Sequence, residues 1–112
     1  MTRDGWLVSN GTVLASAMLA ESHADRGKGL LGRTGIEGAL VLERTRWVHS
    51  IGMKFAIDVA HLANDGTVLK ISHLQPNWVG TFVRDAARVV EAQHGAFERW
   101  GLHVGDLVEW RE

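Results

Sequence analysis

The chain has no cysteine among its 112 residues. Disulfides, thiolate zinc sites, iron–sulfur clusters and cysteine nucleophiles are therefore excluded. The same absence fits a reducing compartment without requiring one. Tyrosine is also missing, and proline occurs once, at Pro76. Net charge is nearly absent: 12 Lys and Arg face 13 Asp and Glu, leaving −1 at neutral pH. A chain with so little overall field is poorly suited to holding a polyanion, so nucleic acid is not expected as a partner. Nor is there a long hydrophobic run. Stretches such as Gly38–Leu42 fall far short of the roughly 18 residues a membrane helix needs, so no membrane partner is expected. Thr12–Ala20 is apolar and contains Ala15-Ser16-Ala17, which mimics the end of a signal peptide. Asp4 and the Asn10-Gly11 break argue against export, and the expectation is a cytoplasmic protein.

What the chain has in excess is glycine, 13 residues of 112, above the usual share of roughly 7%. Many tight turns and a β-rich single domain, 1–112, are expected. Asn10-Gly11 between Gly5–Ser9 and Thr12–Ala20 predicts a hairpin, because both central residues of its turn need positive φ. Ser22 is placed to cap a short helix over about His23–Leu31, stopped by Gly32. Gly38–Glu43 and Trp47–Ser50 read as strands around Arg44-Thr45-Arg46. Phe55–Ala63 and Thr67–Leu74 form a second hairpin around Asn64-Asp65-Gly66. A three-residue loop there pairs Asp58 with Ser72 and sorts apolar from polar side chains better than a two-residue loop, which pairs Asp58 with His73. With the three-residue loop, alternation places His61 and His73 on one face. Arg84–Ala92 is a conflict: its Ala, Arg and Glu suggest a helix, whereas Val89-Val90 suits a strand. Gly95–Trp100 predicts a helical turn and Leu107–Trp110 a last strand.

Three separated motifs then stand in order. They are Arg26–Arg33 (RGKGLLGR), Val48–Val59 with Asp65-Gly66-Thr67-Val68, and Val89–Gly95 with Gly101–Asp106. Over about residues 12–110 the chain resembles the DUF192 (UPF0127) family of small bacterial and archaeal proteins of unknown function. The resemblance implies a mainly β (α+β) fold. It would be a compact sandwich, jelly-roll-like or barrel-like sheet with one short flanking helix (about 23–31) and a short helical turn near 95–100. It also implies that Val89–Gln93 is a strand. Its signature positions fall on Gly29, Leu30, Arg33, Met53, Asp58, Glu91, Gly95, Gly105 and Asp106. Ala56, where the family often has proline, and His61, where it often has an aromatic, depart from the pattern. No family activity exists to carry over.

The chemistry-bearing residues are few. Gly27–Thr34 fits both G-x-G-x-x-G and a phosphate-loop pattern with Arg33 for lysine. Those loops precede a helix, whereas these glycines lie within or after one and face the wrong end of its dipole. Tight packing of helix on sheet is the expected role. Six histidines stand at 23, 49, 61, 73, 94 and 103 without H-x-H or H-E-x-x-H spacing, so no metal and no cofactor are expected. His49-Ser50 beside Asp58 suggests a hydrolase triad, but adjacent strand residues point to opposite faces and no G-x-S-x-G elbow exists. Asp58 and Glu91 each sit inside an apolar strand, and an ionised carboxylate there needs a partner. Arg33, Lys54 and Arg88 are the available cations. Residues 26–54 hold six Lys and Arg against two Glu, a basic stretch suited to an anionic ligand or an acidic partner. Of five tryptophans, Trp78 follows Pro76 in a loop and is expected to be exposed.

These readings converge on a non-catalytic ligand-binding or protein-interaction module. Its polar cluster comprises Arg33, His49, Lys54 and Asp58, with Trp78 at the edge and an unidentified small ligand or protein as partner. Gly29, Leu30, Met53, Glu91, Gly95, Gly105 and Asp106 are expected to form the supporting network, and no catalytic residue is assigned. The competing expectation is an enzyme acting on a small anionic or sugar-like substrate, with Asp58 or Glu91 as general acid or base. A carboxylate raised towards neutrality favours the enzyme, and one held down by Arg33 favours the module.

Overall fold

The computed structural model describes residues 2–112. Its seven strands are β1 (Arg3–Ser9), β2 (Thr12–Ala20), β3 (Ala39–Glu43), β4 (Ile57–Leu62), β5 (Val68–Leu74), β6 (Arg88–Gln93) and β7 (Val108–Arg111). Two short helices, α1 (His23–Lys28) and α2 (Ala96–Trp100), complete the set. The strands form one sheet in the order β5-β4-β6-β3-β2-β1-β7. β2 and β3 run parallel and the other neighbours antiparallel. A parallel pair needs a crossover, and residues 21–38 supply it, carrying α1 with them. The sheet curls until its edges meet at one corner. There Thr67 bridges Leu107, and Val68 N–H donates to Asp106 C=O at 2.9 Å. Of the expected alternatives this is the barrel-like one.

Alternation along the strands divides the core between two faces. One face gathers Leu19, Val41, Ala60, Val90 and Ala92 with Phe97 of α2. The other gathers Leu40, Leu42, Val59 and Val89 under Leu30, Val48 and Met53 of the connecting segments. β4 is buried along its whole length because it lies between β5 and β6 and is covered on both sides.

The Asn10-Gly11 hairpin forms as expected, with φ of 51° and 78°. Ser22 caps α1 through Asp25 N–H, at 3.1 Å. The helix stops at Lys28 rather than Leu31, because Gly29 takes φ 50° and closes it by donating to Asp25 C=O. Trp47–Ser50 is not a strand. Its place is taken by a single bridge, His49 to Val79. The Arg84–Ala92 conflict resolves as strand β6, with Val89 and Val90 buried between β3 and β4.

The second hairpin holds the main correction. Next to its turn the register is the one sequence favoured, Leu62 opposite Val68. A bulge at His61/Leu62 then shifts the pairing by one, leaving Leu69 without a partner in the ladder, so that Asp58 meets His73 instead of Ser72. His73 consequently joins the Asp58–Ala60 face, and His61 lies on the opposite face with Val59 and Val89. The expected meeting of His61 and His73 does not occur.

Candidate functional site

Two acidic centres occupy opposite faces of the sheet. Asp58 is fully buried at the β4 end nearest α2. Its Oδ1 lies 2.6 Å from Nδ1 of His73 and 2.9 Å from Nδ1 of His94. Its Oδ2 accepts the N–H groups of Gly95 at 3.0 Å and Phe97 at 3.1 Å. Gly95 thus lies among the hydrogen-bond partners of Asp58. Four donors on one carboxylate account for its burial.

Arg33 is not among those donors. It is exposed, its guanidinium 3.9 Å from Met18 Sδ, and Met18 packs on the other side of the sheet. The expected Arg33–Asp58 ion pair is absent, because Arg33 lies by Met18 on the Glu91 side of the sheet while Asp58 points to the α2 side. Lys54 is exposed as well, and Arg88 pairs across the ladder with Glu43 at 2.8 Å.

Glu91 is the second centre. It is 3% exposed, and among the described residues no hydrogen bond or ion pair reaches its carboxyl. Burial alone pushes its pKa up to about 7. The carboxyl faces a cavity of about 200 Å³ between the end of α1 and the 45–53 segment. Leu30, Leu42, Val48 and Met53 form the buried walls, and Arg26, Lys28, Trp47 and His49 the more exposed rim. Gly29 stands over the acid: a Cβ there would lie 3.6 Å from Glu91 Oε1, and the positive φ disfavours any side chain. Outside the rim the cavity opens onto a broad groove that shares Arg26 and Trp47 and adds Arg44, Arg46, Arg84 and Phe82.

The cavity wall is shaped by paired loops. Ser50, fully buried, exchanges hydrogen bonds with Trp78 (Ser50 N–H to Trp78 C=O at 2.8 Å, Trp78 N–H to Ser50 Oγ at 2.9 Å) and donates to Gln75 C=O. It clamps the 48–52 segment to the 75–78 loop. His49 Nδ1 accepts Ile51 N–H at 3.1 Å, which leaves the ring proton on Nε2. Trp78 is exposed as expected, beside exposed Val79 and Phe82.

Of the expected polar cluster, then, His49 lines the Glu91 cavity and Trp78 belongs to the loop clamped to it. Arg33 and Lys54 do not line this cavity, and Asp58 lies on the other face. Of the expected network, Gly29, Leu30, Met53 and Glu91 meet at the cavity. Gly105 and Asp106 instead secure the closing corner: Gly105 N–H donates to Val68 C=O, and Asp106 Oδ2 accepts His103 N–H at 2.8 Å. Arg26 and Trp47 were not singled out individually. The excess of cations in 26–54 was the available signal.

No curated protein is significantly similar to the chain. Among solved structures, a protein of unknown function from Novosphingobium aromaticivorans DSM 12444 superposes with a TM-score of 0.81 at 21% identity, covering 97% of this chain and 85% of that one. A protein from Sinorhizobium meliloti 1021, described as a "putative transcription regulator", does so with a TM-score of 0.81 at 23% identity, covering 98% and 94%. At these identities the likeness is one of fold. The family DUF192, described as Uncharacterized ACR, matches residues 6–110, nearly the whole length. This chain, with its curled sheet and two acids on opposite faces, belongs to the DUF192 family.

Proposed function

We propose that the domain is a non-catalytic binding module that takes a small hydroxylated anion, of the sugar-phosphate or hydroxycarboxylate kind, into the cavity over Glu91. The observation that carries this reading is the unpartnered Glu91 carboxyl facing that cavity. An unsatisfied buried polar group costs roughly 1–3 kcal/mol, and a ligand hydroxyl supplies the missing partner. Arg26, Lys28 and the groove arginines suit the ligand's anionic end, and Trp47 offers a flat apolar face. Apolar walls with a few convergent polar groups are the usual make-up of a ligand site.

The supporting experiment is titration with a panel of hexose phosphates and hydroxycarboxylates, followed by tryptophan fluorescence. The reading expects saturable binding of at least one member, weakened more than about tenfold in both Glu91→Gln and Arg26→Ala. Binding by none of them, or binding indifferent to both substitutions, ends it.

A specific observation also favours an enzymatic alternative. Burial holds Glu91 at about 7, where a general acid or base works best at neutral pH. Asp58, saturated by four donors, is the poorer candidate of the two acids. Product formation from a bound panel member, abolished in Glu91→Gln, would select this alternative over simple binding. Docking of a protein onto Trp78, Val79 and Phe82 is the remaining form of the module. The proposed location is the cytoplasm. Among the described residues no helix is long and apolar enough to cross a membrane. The near-zero net charge keeps nucleic acid outside the proposal.

A further inference from the structure

The face opposite Glu91 carries a second constellation, independent of the ligand reading. We infer that Asp58, His73 and His94 bind one divalent transition-metal ion of the zinc, nickel or copper class. The bulge in the second hairpin sets His73 directly across from Asp58, and His94 follows β6 on the other flank of β4. One ligand atom from each of the three lies within 4.8 Å of the others. Two imidazoles and a carboxylate form a donor set for late first-row metals rather than for calcium or magnesium.

The outer arrangement fits the same purpose. Asp58 is anchored through Oδ2 by the N–H groups of Gly95 and Phe97, so Oδ1 is aimed at the two rings. Fixing a ligand by a second layer of hydrogen bonds is typical of metal sites. The rings meet edge to face at 5.0 Å, and the side chains are 58% and 53% exposed, which leaves the remaining coordination positions to water.

Loading needs little movement. Ligands of tetrahedral zinc stand about 3.3 Å apart, from bond lengths of roughly 2.0–2.1 Å. The Nδ1 atoms of His73 and His94 stand 2.6 Å and 2.9 Å from Oδ1. The two exposed rings therefore retreat by a few tenths of an ångström. On coordination through Nδ1, the proton that each ring donates to Oδ1 gives way to the metal, and the ring carries its proton on Nε2, in solvent. The metal takes the place of two hydrogen bonds.

The test is calorimetric titration of untagged protein with zinc chloride and with nickel chloride, paired with thermal unfolding. The expected result is one ion per chain and a raised Tm. His73→Ala and His94→Ala should each weaken binding by more than about tenfold, whereas His49→Ala and His103→Ala leave it unchanged. Both key histidines are exposed, so their removal tests the site without dismantling the core. Absence of heat and of any Tm change with either metal overturns the inference. So does binding that survives in the His73→Ala/His94→Ala double variant, which would place the ion elsewhere.

Discussion

Asp58 and Glu91 stand on adjacent strands one register position apart, with Asp58 opposite Ala92 and Glu91 opposite Val59, yet they point to opposite faces of the sheet. One carboxyl is fully satisfied and the other has no partner. The first belongs to the architecture around α2, the second to a cavity.

Replacing Asp58 by Asn should destabilise the protein by about 2–4 kcal/mol, because an amide NH₂ would be turned towards groups that donate. Arg33→Ala, by contrast, should change stability by less than about 0.5 kcal/mol. Urea unfolding of the two variants side by side checks both. A large effect at Arg33 would restore the ion pair that their placement on opposite faces excludes.

His61 is fully buried, with neither ring nitrogen hydrogen-bonded among the described residues. Burial lowers its pKa, and the nearby backbones of Arg46 and Thr81 offset this only in part. The unfolded chain therefore binds the proton more readily, and this residue's contribution makes stability fall as pH drops below about 6.5. His61→Leu should raise stability by about 1 kcal/mol and flatten that fall. Unfolding curves at pH 5 and pH 8 measure both effects.

Ser50→Ala should cost about 1–3 kcal/mol, since it strands the Trp78 N–H it now satisfies. Because the clamp ties the 48–52 segment to the 75–78 loop, the variant should also raise amide exchange at Ile51 and Trp78 without changing it in β4. Uniform exchange across the sheet would show that the clamp is not local.

Glu91 has the opposite linkage to His61. Its folded pKa, about 7, lies above the ordinary glutamate value of 4.5. The native state thus holds its proton where the unfolded chain has lost it. The contribution is complete below about pH 4.5 and is lost as pH rises through 7, up to about 3 kcal/mol in all. Glu91→Gln should remove this slope and leave the variant more stable than wild type at pH 8, as chemical denaturation at pH 5, 7 and 8 would show.

The amount legible in sequence followed the range of the interactions. The Asn10-Gly11 hairpin, the Ser22 cap and the helical turn before Gly101 are local devices, and all three formed as read. β6 was ambiguous because Val89 and Val90 become strand residues through burial between β3 and β4, a tertiary effect that local propensity does not contain. That Asp58 needs a partner was evident from its apolar flanks. The partner's identity depended on one extra residue, Leu69, in a bulge that no pattern announced, and the slip exchanged Ser72 for His73. Glu91 was seen as an acid in an apolar strand. Its lack of a partner, and the meeting of Arg26, Trp47 and His49 above it, arise from the crossover between β2 and β3 and from loop pairing.

The most direct measurement is a carbon-13 titration of the Glu91 side-chain carboxyl by NMR. An unpartnered acid facing its own cavity should titrate near 7. A midpoint in the ordinary carboxylate range, near 4.3, would mean that Glu91 has found water or a cation, and the cavity account would fail.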